Sequence, residues 1–132
     1  MNLKGILKRN QGLTIAGFQE LQREYDEKFV DTKFTGLPKV EHTYAHMGKL
    51  VGRLAEYIEA LEEKREVSAE DIKSKVIPDL LVYSAWLAEE FGVDIEQAYL
   101  TRFMGNLKRL HSEEIPKKEF EELEGYIKEK FQ

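Results

Sequence analysis

The 132-residue sequence has no cysteine, three prolines, one tryptophan and three asparagines. Without cysteine there is no disulfide, thiol nucleophile, iron–sulfur cluster or thiolate zinc site to consider. Long apolar runs are missing as well. The longest uncharged one, residues 80–88 (LLVYSAWLA), is about half of the ~20 residues a membrane-spanning helix needs. The opening MNLKGILKRNQG has no signal-peptide apolar region, so a cytoplasmic location with no membrane partner is expected. Positive charge is also in deficit: 20 Lys and Arg stand against 25 Asp and Glu, for a formal net charge of −5. That disfavours a nucleic-acid polymer as partner, because non-specific binding needs a basic face. Gly-rich phosphate loops, nucleophile elbows and strand–turn–helix nucleotide units do not occur.

What is present is a globular composition, 42% hydrophobic and 34% charged, suited to a single domain over residues 1–132. Hydrophobic spacing reads as consecutive helices, with no strand pattern, giving an all-α bundle of about five helices. Residues 1–13 read as an N-terminal arm, 14–111 as the bundle core and 112–132 as a C-terminal helix. Thr14 suits the cap of a first helix whose Ile15, Phe18, Leu21, Tyr25 and Phe29 share a face. Pro38 suits the first position of a second helix, expected to run to about residue 66, roughly 42 Å. Met47, Leu50, Val51, Leu54, Ile58 and Leu61 line one face of it. Ser68 and Asp71 form a capping-box variant opening a third helix, apolar on most sides, which ends near Phe91 with Gly92 as its terminator. Asp94 and Gln97 cap a fourth helix running to about His111, and Pro116 opens the last. So apolar a third helix belongs at the centre of a bundle or in a subunit interface, which points to a homo-oligomer.

Several residues carry candidate chemistry. Asp79 lies in the most apolar segment, where a carboxylate needs an ion pair, hydrogen bonds or a metal. Pro78 beside it either kinks the third helix or restarts it, freeing a carbonyl near Ser74. His42 and His46, at i and i+4, have the spacing to chelate one metal with Asp79 as third ligand. Alternatively they pack, partly exposed, on the loop before Pro38. Lys49, Arg53 and Glu56 continue nearly the same face. The two cations either neutralise Asp79, hold a phosphate or form a solvated face. Arg102, Asn106 and Arg109 share a face of the fourth helix and either bind an anion or stay exposed. The run LEEKRE reads as a charged helix end.

Taken together, FQELQREYDEKF, HMGKLVGRLAEYIEA and VIPDLLVYSAWLAEEFGVDIEQAYLTRFMGNLKR resemble the MazG-like all-α nucleoside triphosphate pyrophosphohydrolases over about residues 14–111. The resemblance implies a helical bundle completed by dimerisation, or a dimer of dimers. It also implies a site in which four carboxylates hold Mg²⁺ ions that orient a triphosphate and activate water. The positions of the family's E-E-x-x-E motif fall at Lys49, Leu50 and Arg53, none acidic, and those of E-x-x-D fall at Val76 and Asp79. At the family's K-x-x-x-N-x-x-R ending, Arg102 replaces Lys while Asn106 and Arg109 match. The literal EEKRE of residues 62–66 stands only 13 residues before Asp79, too close for two helices to run back and align. Glu56 and Glu59, a turn below the usual site, are the remaining candidates. Lys49 and Arg53 turn a cation site into an anion site. That leaves either a closed remnant in which they pair with Asp79 or a pocket that holds phosphate directly with help from Arg102 and Asn106. The resemblance thus implies a divergent member of unknown activity, without the family's ordinary Mg²⁺-dependent hydrolysis and with nucleotide or phosphate binding left open. An active enzyme with a rearranged metal site and a purely structural oligomer are the alternatives.

Overall fold

The computed structural model describes Gly5, Lys8, Arg9 and residues 11–31 and 33–132. Most of the expected N-terminal arm lies outside them. Among the described residues there are five α-helices of ten or more residues and no strand: α1 (Ile15–Phe29), α2 (Leu37–Glu62), α3 (Ile77–Glu90), α4 (Ile95–His111) and α5 (Lys117–Lys130). A π-helical turn, Ile72–Val76, leads into α3.

The local signals account for most boundaries. Thr14 Oγ1 accepts from Gly17 N–H at 3.0 Å, and Asp94 Oδ1 accepts from Gln97 N–H at 2.9 Å, satisfying first-turn donors of α1 and α4. Gly92, at φ 64°, ends α3, with Val93 N–H returning to Ala88 C=O at 2.7 Å. Helix α2 begins at Leu37, so Pro38 sits one place inside it. It also stops at Glu62 rather than near residue 66. Lys64 takes a left-handed φ of 55°, and the N–H groups of Lys64 and Arg65 close on Leu61 and Ala60. The charged LEEKRE run is a helix end.

Pro78 explains the π-turn. Proline has no N–H and its ring crowds the carbonyl four residues back, here that of Ser74. The chain widens by one residue instead of breaking, with Ile77 N–H bonding to Ile72 C=O. The extra residue rotates the remainder of the helix about its axis. Val76 becomes almost fully buried at 1% exposure, while Asp79 is exposed. The expectation of a buried Asp79 is therefore corrected: the widened turn carries it to the surface.

Helices α2 and α3 form an antiparallel hairpin, α1 packs on α3 and α4, and α5 packs on α4. The buried side chains are few: Leu50 and Ala60 from α2, Val76 from the π-turn, Ala85 and Ala88 from α3, and Phe120 and Ile127 from α5. Thr43 is wholly buried, its hydroxyl donating to Lys39 C=O at 2.8 Å. The expected apolar face of α2 is split. Leu50 faces inward, whereas Val51, Leu54, Ile58 and Leu61 are exposed. Leu50, Ala60 and Thr43 are the α2 residues that become buried. Helical periodicity turns Val51 and Ile58 roughly 80–100° away from Leu50, whereas Leu54 and Leu61 share nearly its face and are exposed all the same.

Helix α1 docks through polar atoms. Buried Gln19 donates from Nε2 to Val93 C=O at 2.7 Å and accepts at Oε1 from Ile95 N–H at 3.0 Å, while Tyr25 and Phe29 stay exposed. The Gln19 amide supplies both groups that the α3–α4 turn leaves over. Gln19→Ala should lower unfolding free energy by about 1–2 kcal/mol, the cost of leaving such partners unpaired. Urea denaturation followed by far-UV circular dichroism measures it, and an unchanged midpoint would refute the pinning role.

Candidate functional site

One side of the α2–α3 hairpin carries a run of rings. The residues around Gly36 bring Phe34 beside α2, where its ring meets His42 edge-on at 5.3 Å and Trp86 at 6.1 Å. His42 stacks near-parallel with Trp86 at 5.9 Å. His46, one turn on, lies 4.3 Å from His42 and stacks on Tyr83 at 5.2 Å with 17° between the planes. Tyr83 meets Trp86 edge-on at 5.9 Å. The i, i+4 histidines and the i, i+3 pair Tyr83 and Trp86 thus interleave across the hairpin.

Two carboxylates anchor this cluster from behind. Asp26 of α1 accepts at Oδ1 from the Trp86 indole N–H at 3.2 Å and from Gln22 at 2.9 Å. Glu90 accepts from Gly36 N–H and lies 3.9 Å from Lys39, whose ammonium sits 5.7 Å from the Trp86 ring centroid. An open pocket of about 190 Å³ lies alongside, lined by Asp26, Val30, Phe34, Thr35, Lys39 and Glu89 among others. Burial pushes the Asp26 carboxyl above its ordinary value of 3.8, opposed by the hydrogen bonds from Gln22 and Trp86 and by nearby Lys39. Loss of hydration, aided by the charge of neighbouring His42 and Lys49, pulls His46 below its ordinary 6.5. Tyr83 is raised by partial burial and by Asp79.

Further along the hairpin the same side of α2 becomes charged. Arg53 lies 3.8 Å from Asp71, which Lys75 also approaches at 3.6 Å. The cation of Arg53 is therefore paired with Asp71 of the turn before α3, and the expected pairing with Asp79 is not what forms. Lys49 has no ion-pair partner among the described residues. Glu56 is exposed on the same helix.

The structure brings His42 and His46 together, and His42 packs on Phe34 of the loop before Pro38. Among the described residues no three His, Asp or Glu side chains gather to hold a metal ion. The donor set thus does not fit a Mg²⁺ cage: Lys49, Leu50, Arg53 and Val76 offer no carboxylate, and Asp79 offers one. Arg102, Asn106 and Arg109 are carried by α4, whose main packing partners are α1 and α5. Arg102 lines a separate open groove with Val93, Asp94 and Gln97.

Sequence reasoning did not single out Asp26, Phe34, Lys39, Tyr83 or Trp86 as site residues. The one usable signal was the lone Trp86, three residues from Tyr83 on a helix otherwise read as core. Comparison with protein-family models, with curated proteins and with solved structures finds no match to this chain.

Because the folded state raises the Asp26 pKa, folding favours the protonated carboxyl. The stability it contributes is present below 3.8 and is lost as pH rises through the folded pKa. Asp26→Asn keeps an acceptor for Trp86 and Gln22 but removes the ionisation. The variant should be at least as stable as the parent at about pH 7, with a smaller loss of stability between about pH 4 and pH 7. Thermal melts across that range test this, and a clearly lower Tm near neutral pH would mean that the charge itself is needed.

Proposed function

We propose that the chain is a divergent MazG-like protein that binds a nucleotide or a similar phosphorylated planar compound along the α2–α3 groove, without the Mg²⁺-dependent hydrolysis of the family it resembles. The observation that carries this reading is a ring platform and a set of cations on one face of one hairpin. His42 and Trp86 stack on each other, as do His46 and Tyr83, so a heteroaromatic ring would meet only the faces these pairs leave outward, that of exposed His42 first. One to two helical turns further along α2, Lys49 and Arg53 offer the donors a phosphate needs. Lys75 adds positive charge near Arg53. Asp71 balances part of this charge, so the arriving phosphate competes with it for Arg53.

Binding follows from these groups without a metal. The ring stacks on imidazole and indole faces, and the phosphate displaces Asp71 from a guanidinium that can chelate it in two-point fashion. This side of the hairpin offers no set of carboxylates to activate a water: Asp79 is exposed and is the only carboxylate among the five positions at which the family's two acidic motifs fall. The protein works as a homo-oligomer in the cytoplasm in this reading. No helix among the described residues is long and apolar enough to cross a membrane.

A thermal-shift screen with ATP, CTP, pyrophosphate and inorganic phosphate, each with and without Mg²⁺, is the test. At least one nucleoside triphosphate should raise Tm by several degrees without Mg²⁺, and Lys49→Ala with Arg53→Ala should abolish the shift. Mg²⁺-dependent release of pyrophosphate that Asp79→Ala removes would replace this reading with an active hydrolase. No shift with any of these compounds would leave a structural oligomer.

A further inference from the structure

The chain has three histidines, and two of them stand together. His42 and His46 occupy successive turns of α2, inside Leu37–Glu62, so one continuous helix fixes both backbones. Their ring centroids lie 4.3 Å apart with 51° between the planes. Neighbouring rings hold each imidazole by its face. Trp86 lies against His42 and Tyr83 against His46, while Phe34 stands at 87° to His42. The nitrogens sit on the ring edges, and none of them makes a hydrogen bond or ion pair among the described residues. No unpartnered nitrogen of half-buried His46 is sealed from solvent, and His42 is exposed. The pair is therefore held in place by apolar packing and presents free nitrogens to water.

Neutral imidazole suits Zn²⁺, Cu²⁺ and Ni²⁺, whereas Mg²⁺ takes oxygen ligands. With Zn–N bonds of about 2.0–2.1 Å, two imidazoles on one tetrahedral ion have centroids ~5 Å apart, within about 1 Å of the separation seen. His111, the remaining histidine, belongs to α4, and its Nδ1 lies 3.2 Å from Glu114. Lys49, one turn beyond His46, repels a cation there, and no third His, Asp or Glu among the described residues completes the pair. A structural zinc site closes with four protein ligands; this pair instead makes an open site from which an ion exchanges.

We propose that His42 and His46 together bind one divalent transition-metal ion of the Zn²⁺ or Ni²⁺ type, through one ring nitrogen each, with water in the remaining positions. The site uses neither Asp79 nor any position at which the family's acidic motifs fall, and it does not rest on the phosphate-binding reading given above.

Trp86 is the only tryptophan and stacks on His42, so its fluorescence reports on the site. Ni²⁺ is titrated into the full untagged chain, stripped with EDTA and dialysed, at about pH 7.5, where ordinary imidazole is neutral. Quenching should saturate at one ion per chain with a micromolar midpoint. Zn²⁺ should reverse it by competition, and Mg²⁺ should have no effect. His42→Gln or His46→Gln should each weaken Ni²⁺ binding, followed by calorimetry, by about tenfold or more, because one of two linked donors is lost. His111→Gln should leave the affinity unchanged. No saturable quench in the parent, or one that Zn²⁺ does not displace, overturns the proposal. So does parental affinity that persists in either His42→Gln or His46→Gln, or that falls with His111→Gln. Far-UV circular dichroism checks that each variant is folded, and should one unfold, the titration of the parent still decides. No nucleotide or phosphate is present in these titrations. A failure here therefore leaves the phosphate-binding reading standing, and an absent nucleotide-induced thermal shift leaves the metal site standing.

Discussion

Trp86 is the side chain on which the ring cluster depends, because it stands where α1, the loop before α2, α2 and α3 meet. Its indole N–H reaches Asp26 of α1, its edge meets Phe34, one face lies near-parallel to His42, and the Lys39 ammonium sits over the ring. A tryptophan buries more apolar surface than any other side chain while keeping one donor to satisfy. Here that donor falls to a carboxylate from a helix sixty residues earlier. Without that bond α1 would be held to α3 chiefly by the Arg23–Glu89 pair and by the Gln19 amide at the α3–α4 turn.

Polar docking of α1 and ring packing across the hairpin share a cause. The inward residues of α3 that close on neighbouring helices are small, Ala85 and Ala88. Small residues bring backbones close but bury little area, so the large side chains of the hairpin end on its two sides. On one side Phe34, His42, His46, Tyr83 and Trp86 cover one another. On the other side Leu37, Tyr44, Val51, Leu54 and Ile58 stay exposed among the described residues. The hairpin is a two-sided element, with a mixed aromatic and charged side and an exposed apolar side.

Caps were the most legible part of the sequence. Thr14, Gly92, Asp94 and Pro116 act locally, through bonds to residues a few positions away, and the helices start and stop where they indicate. Helix α2 was drawn too long because the left-handed conformation falls on Lys64, a residue type that carries no such signal. The candidate site was only partly legible. His42 and His46 share a face by spacing alone, and so do Lys49 and Arg53. Asp26 was invisible because its role depends on Trp86, sixty residues away, and the exposure of Asp79 was invisible because it turns on one added residue in a helical turn.

What the sequence by itself determined is the number of long helices, their caps and the residue types along each helix face, since all three follow from the 3.6-residue period and from hydrogen bonds closed within a turn. Only the tertiary structure decided which face turns inward. Thr43 and Leu50 went to the core and Val51 to solvent; Asp71, not Asp79, met Arg53; and on α1 it was Gln19 that became buried while Ile15, Tyr25 and Phe29 of the expected apolar face stayed exposed. Each choice was made between helices. Burying one face removes another from contact, and a single widened turn at Pro78 was enough to shift the phase of α3 against α2.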